Sequence, residues 1–176
     1  MIFLIEPAPQ YKESFLEGLY EFQGEGRMLN YDPQRIQKDF NTFLRHIQIY
    51  KDRNKISPNL VPTTEYWLIE GDEHSGIYLG TFSLRHELND MFMRFGGHIG
   101  YQVRPSQRLR GYGKELLRLG LQKARQFGFT RVLVTCDENN ISSQKVIEYN
   151  GGQFESSVYI EGSSVQKLRY WIDLRL

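Results

Sequence analysis

The chain has 176 residues, a size typical of one domain, and its net charge of +1 comes from nearly equal numbers of basic and acidic residues. This balance argues against a nucleic-acid-binding protein, and a single cysteine excludes both an internal disulfide framework and a cysteine-based metal site. No apolar run reaches membrane-spanning length and residues 1–6 lack a basic leader, so we expect one cytoplasmic domain over 1–176, with no metal and no nucleic-acid or membrane partner.

Apolar periodicity and turn residues predict an α/β chain with a mixed, mostly antiparallel sheet flanked by helices. Apolar residues recur at helical spacing from Phe15 to Phe22, and Asp32-Pro33 is typical of a helix start. In chain order, we predict a strand over 1–6, helices over 11–22 and from Asp32-Pro33 through Ile47, strands over 66–70, 78–85 and 99–103, a helix over 111–127, a strand over 131–136, a helix over 141–149, and strands over 154–160 and 165–174. Residues 88–97 are predicted to form a loop. The predicted order is therefore βααβββαβαββ.

The turn before the longest predicted helix contains the clearest pattern in the sequence. The first turn of a helix has unpaired backbone N–H groups and the positive end of the helix dipole, and together these bind phosphate. Gly111 and Gly113 let the backbone approach a ligand closely, and Arg108 and Arg110 offer charge-assisted contacts to a diphosphate. The alternative is an ordinary surface turn, since short glycine motifs often match by chance.

This turn resembles motif A of the GNAT N-acetyltransferases, Gln/Arg-x-x-Gly-x-Gly/Ala, which reads Arg108-Leu109-Arg110-Gly111-Tyr112-Gly113 here. The preceding residues 98–105 look like the fourth strand of that family. Residues 137–152 are similar to its second signature, Asn-x-x-Ala-x-x-x-Tyr-x-x-x-Gly-Phe, at the same spacing. The match covers residues 98–152, roughly a third of the chain.

The resemblance implies the acetyltransferase fold, with acetyl-CoA as the acyl donor between the strands at 99–103 and 131–136. The pyrophosphate would lie on the amides of residues 109–114, and backbone groups of the earlier strand would bind pantetheine and the thioester. Asn140 would be a further contact, although a role as a helix cap would explain it equally well. The expected cofactor-binding residues are Gln102, Val103, Arg108, Leu109, Arg110, Gly111, Tyr112, Gly113, Lys114, Asn140 and Ser143.

The family's reaction, attack of a primary amine on the thioester without an acyl-enzyme, requires a base, oxyanion donors and a proton for the thiolate. His98 is the first candidate for the base. It lies before Ile-Gly-Tyr, where many relatives carry Glu, and an unperturbed histidine pKa of about 6.5 suits proton removal. Three alternatives stay open: His98 as a hydrogen-bonded strand residue, a water relay, or a base at Glu65, Glu70 or Glu87.

The sequence departs from the family at the proton donor. The tyrosine of the second signature falls on Ile147, which has no proton to give. Tyr149 lies two residues later, about 200° around the helix, and should face away. Tyr170 and Ser143 are the candidate substitutes, and unaided departure is the alternative because a thiol pKa is only about 8.5.

The acceptor is not identified by these motifs. Glu25 is a candidate for binding a cationic amine and Arg27 or Arg94 for binding a carboxylate, although each is equally an ordinary charged loop residue. The main hypothesis is an acetyl-CoA-dependent N-acetyltransferase that acts on a small-molecule or peptide amine, with a homodimer formed through the C-terminal strands. The alternatives are a non-catalytic acyl-CoA-binding or regulatory domain, which Ile147 favours, and a nucleotide-binding fold, which lacks its usual glycine motifs.

Overall fold

A seven-stranded sheet organises the chain in the computed structural model, which describes residues 1–175. Neighbouring strands are antiparallel except β4 and β5, and the order across the sheet is β1-β2-β3-β4-β5-β7-β6. The strands are β1 (Ile2–Ile5), β2 (Thr63–Gly71), β3 (Gly76–Arg85), β4 (Ile99–Val103), β5 (Arg131–Asp137), β6 (Gln153–Tyr159) and β7 (Gln166–Asp173). The helices are α1 (Lys12–Gly24), α2 (Pro33–Lys38), α3 (Phe40–Ile49), α4 (Tyr112–Gln126) and α5 (Ile141–Tyr149). The predicted fold class, a mixed α/β fold with a mostly antiparallel sheet, is confirmed.

The predicted element order is wrong at one point, because the segment after Asp32 forms two helices instead of one. Asp39 separates them with φ −140° and ψ 78°, outside the helical region, and its carboxylate accepts a hydrogen bond from the Thr42 amide. It therefore caps α3 as Asp32 caps α2. Ile36 and Phe40 are buried on either side of the break, so the apolar pattern continues across it and concealed it. The predicted loop at 88–97 also contains a π-helical turn, Phe92–Gly96.

The sheet separates two hydrophobic layers. On one side, which we call the α1–α3 face, the Phe15 ring stacks on Trp67 with centroids 4.4 Å apart, and Tyr78 packs beside them. On the other side, the α4–α5 face, Leu116 and Leu117 of α4 pack on the sheet. Alternate residues of each strand face opposite layers, so sequence position determines which layer a side chain reaches.

The sheet is interrupted between its two parallel strands. β4 and β5 pair at one register position, Ile99 opposite Val134. Beyond it, residues 100–103 and 135–137 do not pair with each other, and we call this the β4–β5 gap. The gap lies at the carboxyl ends of both strands, next to the turn that leads into α4.

Candidate functional site

The turn between β4 and α4 presents a series of free backbone donors. Gly111 has φ +86° and Leu109 has φ +62°, a left-handed conformation that is uncommon for a non-glycine residue. A Cβ added at Gly111 would meet no atom within 4 Å, so the space in front of the turn is open. Throughout residues 1–175, the amides of 109–113 donate no hydrogen bond. Five free amides thus lie at the N-terminus of a 15-residue helix, an arrangement that binds phosphate.

The charged side chains of this turn have partners within the chain. Arg108 donates to both carboxylate oxygens of Glu25, at 2.8 and 2.7 Å. Arg110 donates to Gln107 at 2.6 Å, and the Lys114 ammonium lies 3.9 Å from the centroid of the Tyr149 ring. The structure therefore brings the predicted backbone donors together. It also pairs Arg108 with Glu25, the residue that the sequence analysis names as a candidate for binding a cationic amine of the acceptor.

A buried ion pair beneath the turn was not predicted from the sequence. Arg104 is only 8% exposed, and its guanidinium donates to Glu21 at 2.7 Å and to Glu17 at 3.2 Å. The second Glu21 oxygen accepts a hydrogen bond from the Ser106 amide at 2.9 Å. Burial raises the pKa of Glu21, but the hydrogen bonds from Ser106 and Arg104 outweigh it, so the net pKa is lowered. Glu21 thus fixes the start of the turn to α1.

The two strand residues predicted to bind the cofactor face different layers. Gln102 donates to the Met28 sulfur at 3.2 Å on the α1–α3 face. Val103 packs against the core on the α4–α5 face, and its carbonyl accepts a hydrogen bond from Arg108 at 3.3 Å. Both lie in the part of β4 that pairs with β3 but not with β5, so their backbone groups border the β4–β5 gap.

The first turn of α5 contains an unpredicted polar pair. Asn140 accepts a hydrogen bond from the Ser143 amide at 3.1 Å, as expected for a helix cap. The Ser143 hydroxyl lies 2.7 Å from the Tyr101 hydroxyl, which links α5 to the unpaired part of β4. Burial raises the pKa of Tyr101 to about 12, and the hydrogen bond to Ser143 opposes this. Tyr101 therefore remains protonated at neutral pH, and its hydroxyl lies beside the gap.

The other proton-donor candidates differ in exposure. Ile147 is fully buried in the core, whereas Tyr149 is 66% exposed, as the helical spacing predicted. Tyr170 is 3% exposed on the α4–α5 face, its ring packs edge-on against Phe154, and burial raises its pKa. Its acid role stays a prediction, as does that of Ser143.

His98 lies at the paired end of β4 and β5. Its Nδ1 atom accepts a hydrogen bond from the Leu133 amide at 2.9 Å, and its own amide donates to the Leu133 carbonyl at 2.7 Å. Burial lowers the pKa of His98 to about 4, assisted by the charges of Arg85 and Arg131. The ring is therefore neutral at pH 7, with its acceptor nitrogen already bonded. This geometry favours an anchoring role, and the base role stays a prediction.

Glu65 is the most strongly perturbed carboxyl group in the described chain. It lies on β2 and lines a cavity of about 280 Å³ on the α1–α3 face. Burial raises its pKa to about 7, and a hydrogen bond from the Trp67 indole opposes this. A carboxyl group with this pKa can exchange a proton at neutral pH. The sequence alone does not reveal this property of Glu65, because the cavity wall is formed by residues distant in the chain.

Across the described residues, no group of three or more His, Cys, Asp or Glu side chains is placed to hold a metal ion. None of the helices in that part of the chain is both long and apolar enough to cross a membrane.

The chain is similar to one protein family and to several solved structures. A family model described as an acetyltransferase (GNAT) domain matches residues 10–153, and no curated protein matches the chain. Similar solved structures include a GNAT-family acetyltransferase from Bacillus anthracis, with 16% identity, a TM-score of 0.66, and coverage of 99% of this chain and 96% of that one. The protein yncA from Salmonella typhimurium with its cofactor acetyl-CoA has 14% identity, a TM-score of 0.60, and coverage of 98% and 94%. RimJ from Mycobacterium smegmatis in complex with CoA-disulfide has 15% identity, a TM-score of 0.68, and coverage of 98% and 81%.

Proposed function

Because the chain belongs to the GNAT acetyltransferase family, we propose that it transfers the acetyl group of acetyl-CoA to a primary amine of a small-molecule or peptide acceptor. The observation that carries the proposal is the run of five amides at 109–113 that donate no hydrogen bond, at the N-terminus of α4. These donors suit the pyrophosphate of acetyl-CoA. Two solved structures of this fold carry acetyl-CoA or CoA-disulfide.

We assign the remaining contacts of acetyl-CoA to the β4–β5 gap and to α5. Residues 100–103 have backbone groups free of β5, so they can bind the pantetheine amides and the thioester carbonyl. Gln102 and Val103 would provide these groups, while Asn140 and Ser143 border the gap from α5. The Arg108–Glu25 pair lies at the rim, where opening it would release a guanidinium toward the phosphates.

The reaction we propose is direct transfer. The ammonium group of the acceptor loses a proton, and the nitrogen lone pair forms a bond to the thioester carbonyl carbon. The C–S bond then breaks, its electron pair leaves on sulfur, the nitrogen loses its second proton, and the thiolate takes one proton to give CoA and an amide. Binding both reactants in one site supplies much of the acceleration.

We assign the proton for the thiolate to Tyr101 ahead of Tyr170. Its hydroxyl is held by Ser143 beside the gap, whereas the Tyr170 ring packs against Phe154. This arrangement supplies a donor even though Ile147 replaces the family tyrosine. It therefore weakens the case for a non-catalytic acyl-CoA-binding domain.

Isothermal titration with acetyl-CoA, with NAD as the comparison, tests the proposal. We expect acetyl-CoA to bind and NAD to give no heat. Binding to the folded state should add about 2.7 kcal/mol to the free energy of unfolding at a hundredfold excess of ligand over Kd. Absence of acetyl-CoA binding would refute the proposed function, whereas binding without turnover on any amine would favour the non-catalytic alternative. A homodimer through β6 and β7 and a cytoplasmic location remain predictions.

A further inference from the structure

The cavity that contains Glu65 lies between α3 and the β2–β3 hairpin. Glu65, Ser83 and Arg85 line it from the sheet. Tyr31, Tyr50 and His46 line it from the α1–α3 layer. Its volume of about 280 Å³ is large enough for a small organic molecule, and its wall combines aromatic rings with two charged groups.

The two charged groups have opposite signs and are not paired with each other. Glu65 accepts a hydrogen bond from Trp67 at 3.2 Å, and Arg85 donates to the carbonyls of Gly96 and Gly97 at 3.3 and 3.0 Å. Neither side chain forms an ion pair within the described part of the chain. Burial shifts the pKa of both toward the neutral form, to about 7 for Glu65 and about 10 for Arg85. Unpaired charges are costly to bury, so each is suited to a partner of opposite charge.

The strand register places these charges close together. Glu65 on β2 lies opposite Ser83 on β3, and Arg85 lies two residues from Ser83 on the same face. Such diagonal neighbours have Cα atoms about 7–8 Å apart. That separation suits a ligand whose positive and negative groups are a few bonds apart.

Two residues of the cavity wall, Ser83 and Arg85, lie next to the strand that borders the β4–β5 gap. Gly100 lies opposite Ser83 and is the first residue after the Ile99–Val134 pair. A Cβ added at Gly100 would lie 3.5 Å from Nη2 of Arg85 and 3.9 Å from Cβ of Ser83. Gly100 therefore places no side chain between Arg85 and the start of the gap.

On the premise of the acetyltransferase function, we propose that this cavity binds the acceptor, and that the acceptor carries an amine beside a carboxylate, as an α-amino acid does. Arg85 binds the carboxylate, because a guanidinium pairs with carboxylates through two parallel hydrogen bonds. The amine lies above Ser83, between Glu65 and Gly100. Glu65 accepts the proton that the ammonium group loses before its nitrogen attacks the thioester.

Release of free CoA thiol with matched acceptors tests the proposal. The pairs are L-alanine with ethylamine and L-phenylalanine with phenethylamine, with putrescine as a diamine. We expect kcat/KM to be about 100-fold higher for each amino acid than for its amine, the range that a charged hydrogen-bonded pair supplies. Arg85→Gln should reduce that preference below tenfold. Arg45→Gln is the matched control, since Arg45 is exposed on α3, donates to Thr42 and is not part of the cavity wall, and it should keep the preference.

Glu65→Gln provides a second readout if Arg85→Gln does not fold. The amide keeps an oxygen for the Trp67 bond but does not titrate, so kcat should fall and the ionisation near pH 7 should disappear from the pH profile. Equal use of amines and amino acids, or turnover of none of these acceptors while acetyl-CoA still binds, would overturn the acceptor class and leave the proposed function intact. Absence of acetyl-CoA binding to the wild-type protein would overturn both.

Discussion

At the scale of single residues, backbone partners determine what His98 can do. Its position before Ile-Gly-Tyr suggested a base, but its Nδ1 is bonded to the Leu133 amide, and its ring packs 5.1 Å from the Phe129 centroid. The His98 ring is neutral and its Nδ1 acceptor is already bonded, so it holds β4 against β5 at the point where these strands pair. Glu65 and Tyr101, by contrast, are titratable groups with access to a cavity or to the gap.

The pH dependence of stability distinguishes the two roles of His98. Its pKa is about 4 in the folded state and about 6.5 when unfolded, so the unfolded state binds more protons between these values. The stability that His98 contributes is therefore complete above pH 6.5 and is lost as the pH falls toward 4.

The variant His98→Asn should lack this component in urea unfolding measured from pH 4 to 7. Its kcat/KM should fall by less than about tenfold, because proton removal does not depend on an anchoring residue. A thousandfold loss of kcat at all pH values, with unchanged stability, would instead identify His98 as the base.

At the scale of elements, the β4–α4 turn combines a strained backbone with free donors. Leu109 and Gly111 both have left-handed conformations, and the space beside Gly111 is open. Gly128, two residues after the end of α4, also has positive φ and open space around it. The two glycines are therefore similar in conformation and opposite in electrostatic surroundings, since they lie at opposite ends of the α4 dipole.

The similar conformations of Gly111 and Gly128 allow a controlled test of the proposed phosphate site. Gly111→Asp should abolish acetyl-CoA binding, because it places a carboxylate where the pyrophosphate is proposed to lie. Gly128→Asp introduces the same side chain at a comparable φ and should leave acetyl-CoA affinity within about twofold. Each substitution should cost roughly 1–2 kcal/mol of stability from backbone strain. Calorimetry and thermal unfolding measure both effects, and equal loss of binding in the two variants would contradict the assignment.

At the scale of the whole molecule, α1 supports the turn from the opposite face of the sheet. Arg104 follows β4 directly and reaches Glu21 on α1, and Glu21 in turn holds the Ser106 amide. The start of the phosphate-binding turn is thus fixed by two contacts whose partners are 83 and 85 positions apart in the sequence. A substitution in α1 that disrupts these contacts should therefore weaken cofactor binding, although the substituted residue does not itself belong to the proposed cofactor site.

Neutralising one carboxylate tests this support. Glu21→Gln leaves the buried guanidinium of Arg104 with Glu17 as its single charged partner, beside two oxygens of Ser14. We expect a loss of roughly 2–3 kcal/mol in the free energy of unfolding and weaker acetyl-CoA binding. Glu17→Gln, at a carboxylate 67% exposed, should cost less than about 1 kcal/mol. The pKa of Glu21 is lowered, so its contribution is present above about pH 4.5 and is lost as the pH falls through the folded value. Equal stability of the two variants in urea unfolding would contradict the role of Glu21.

Local sequence patterns predicted most of the elements, because caps, turns and apolar periodicity act within a few residues. Asp32, Asn140 and the glycine turn of motif A are of this kind, and the structure confirms the caps. The break at Asp39 was missed because the apolar stripe continues across it. The Tyr101–Ser143 pair joins residues 42 apart, and no local pattern encodes such a contact.

The β4–β5 gap makes this a sheet with two additional edges inside the molecule. Outer edges of sheets attract other chains, since their N–H and C=O groups lack partners. Here two such edges, one on β4 and one on β5, face each other inside the sheet. An extended ligand with a few amides can enter and hydrogen-bond in place of the missing ladder. A pantetheine chain bound there would act as a short eighth strand, so the substrate would complete the architecture of the enzyme that uses it.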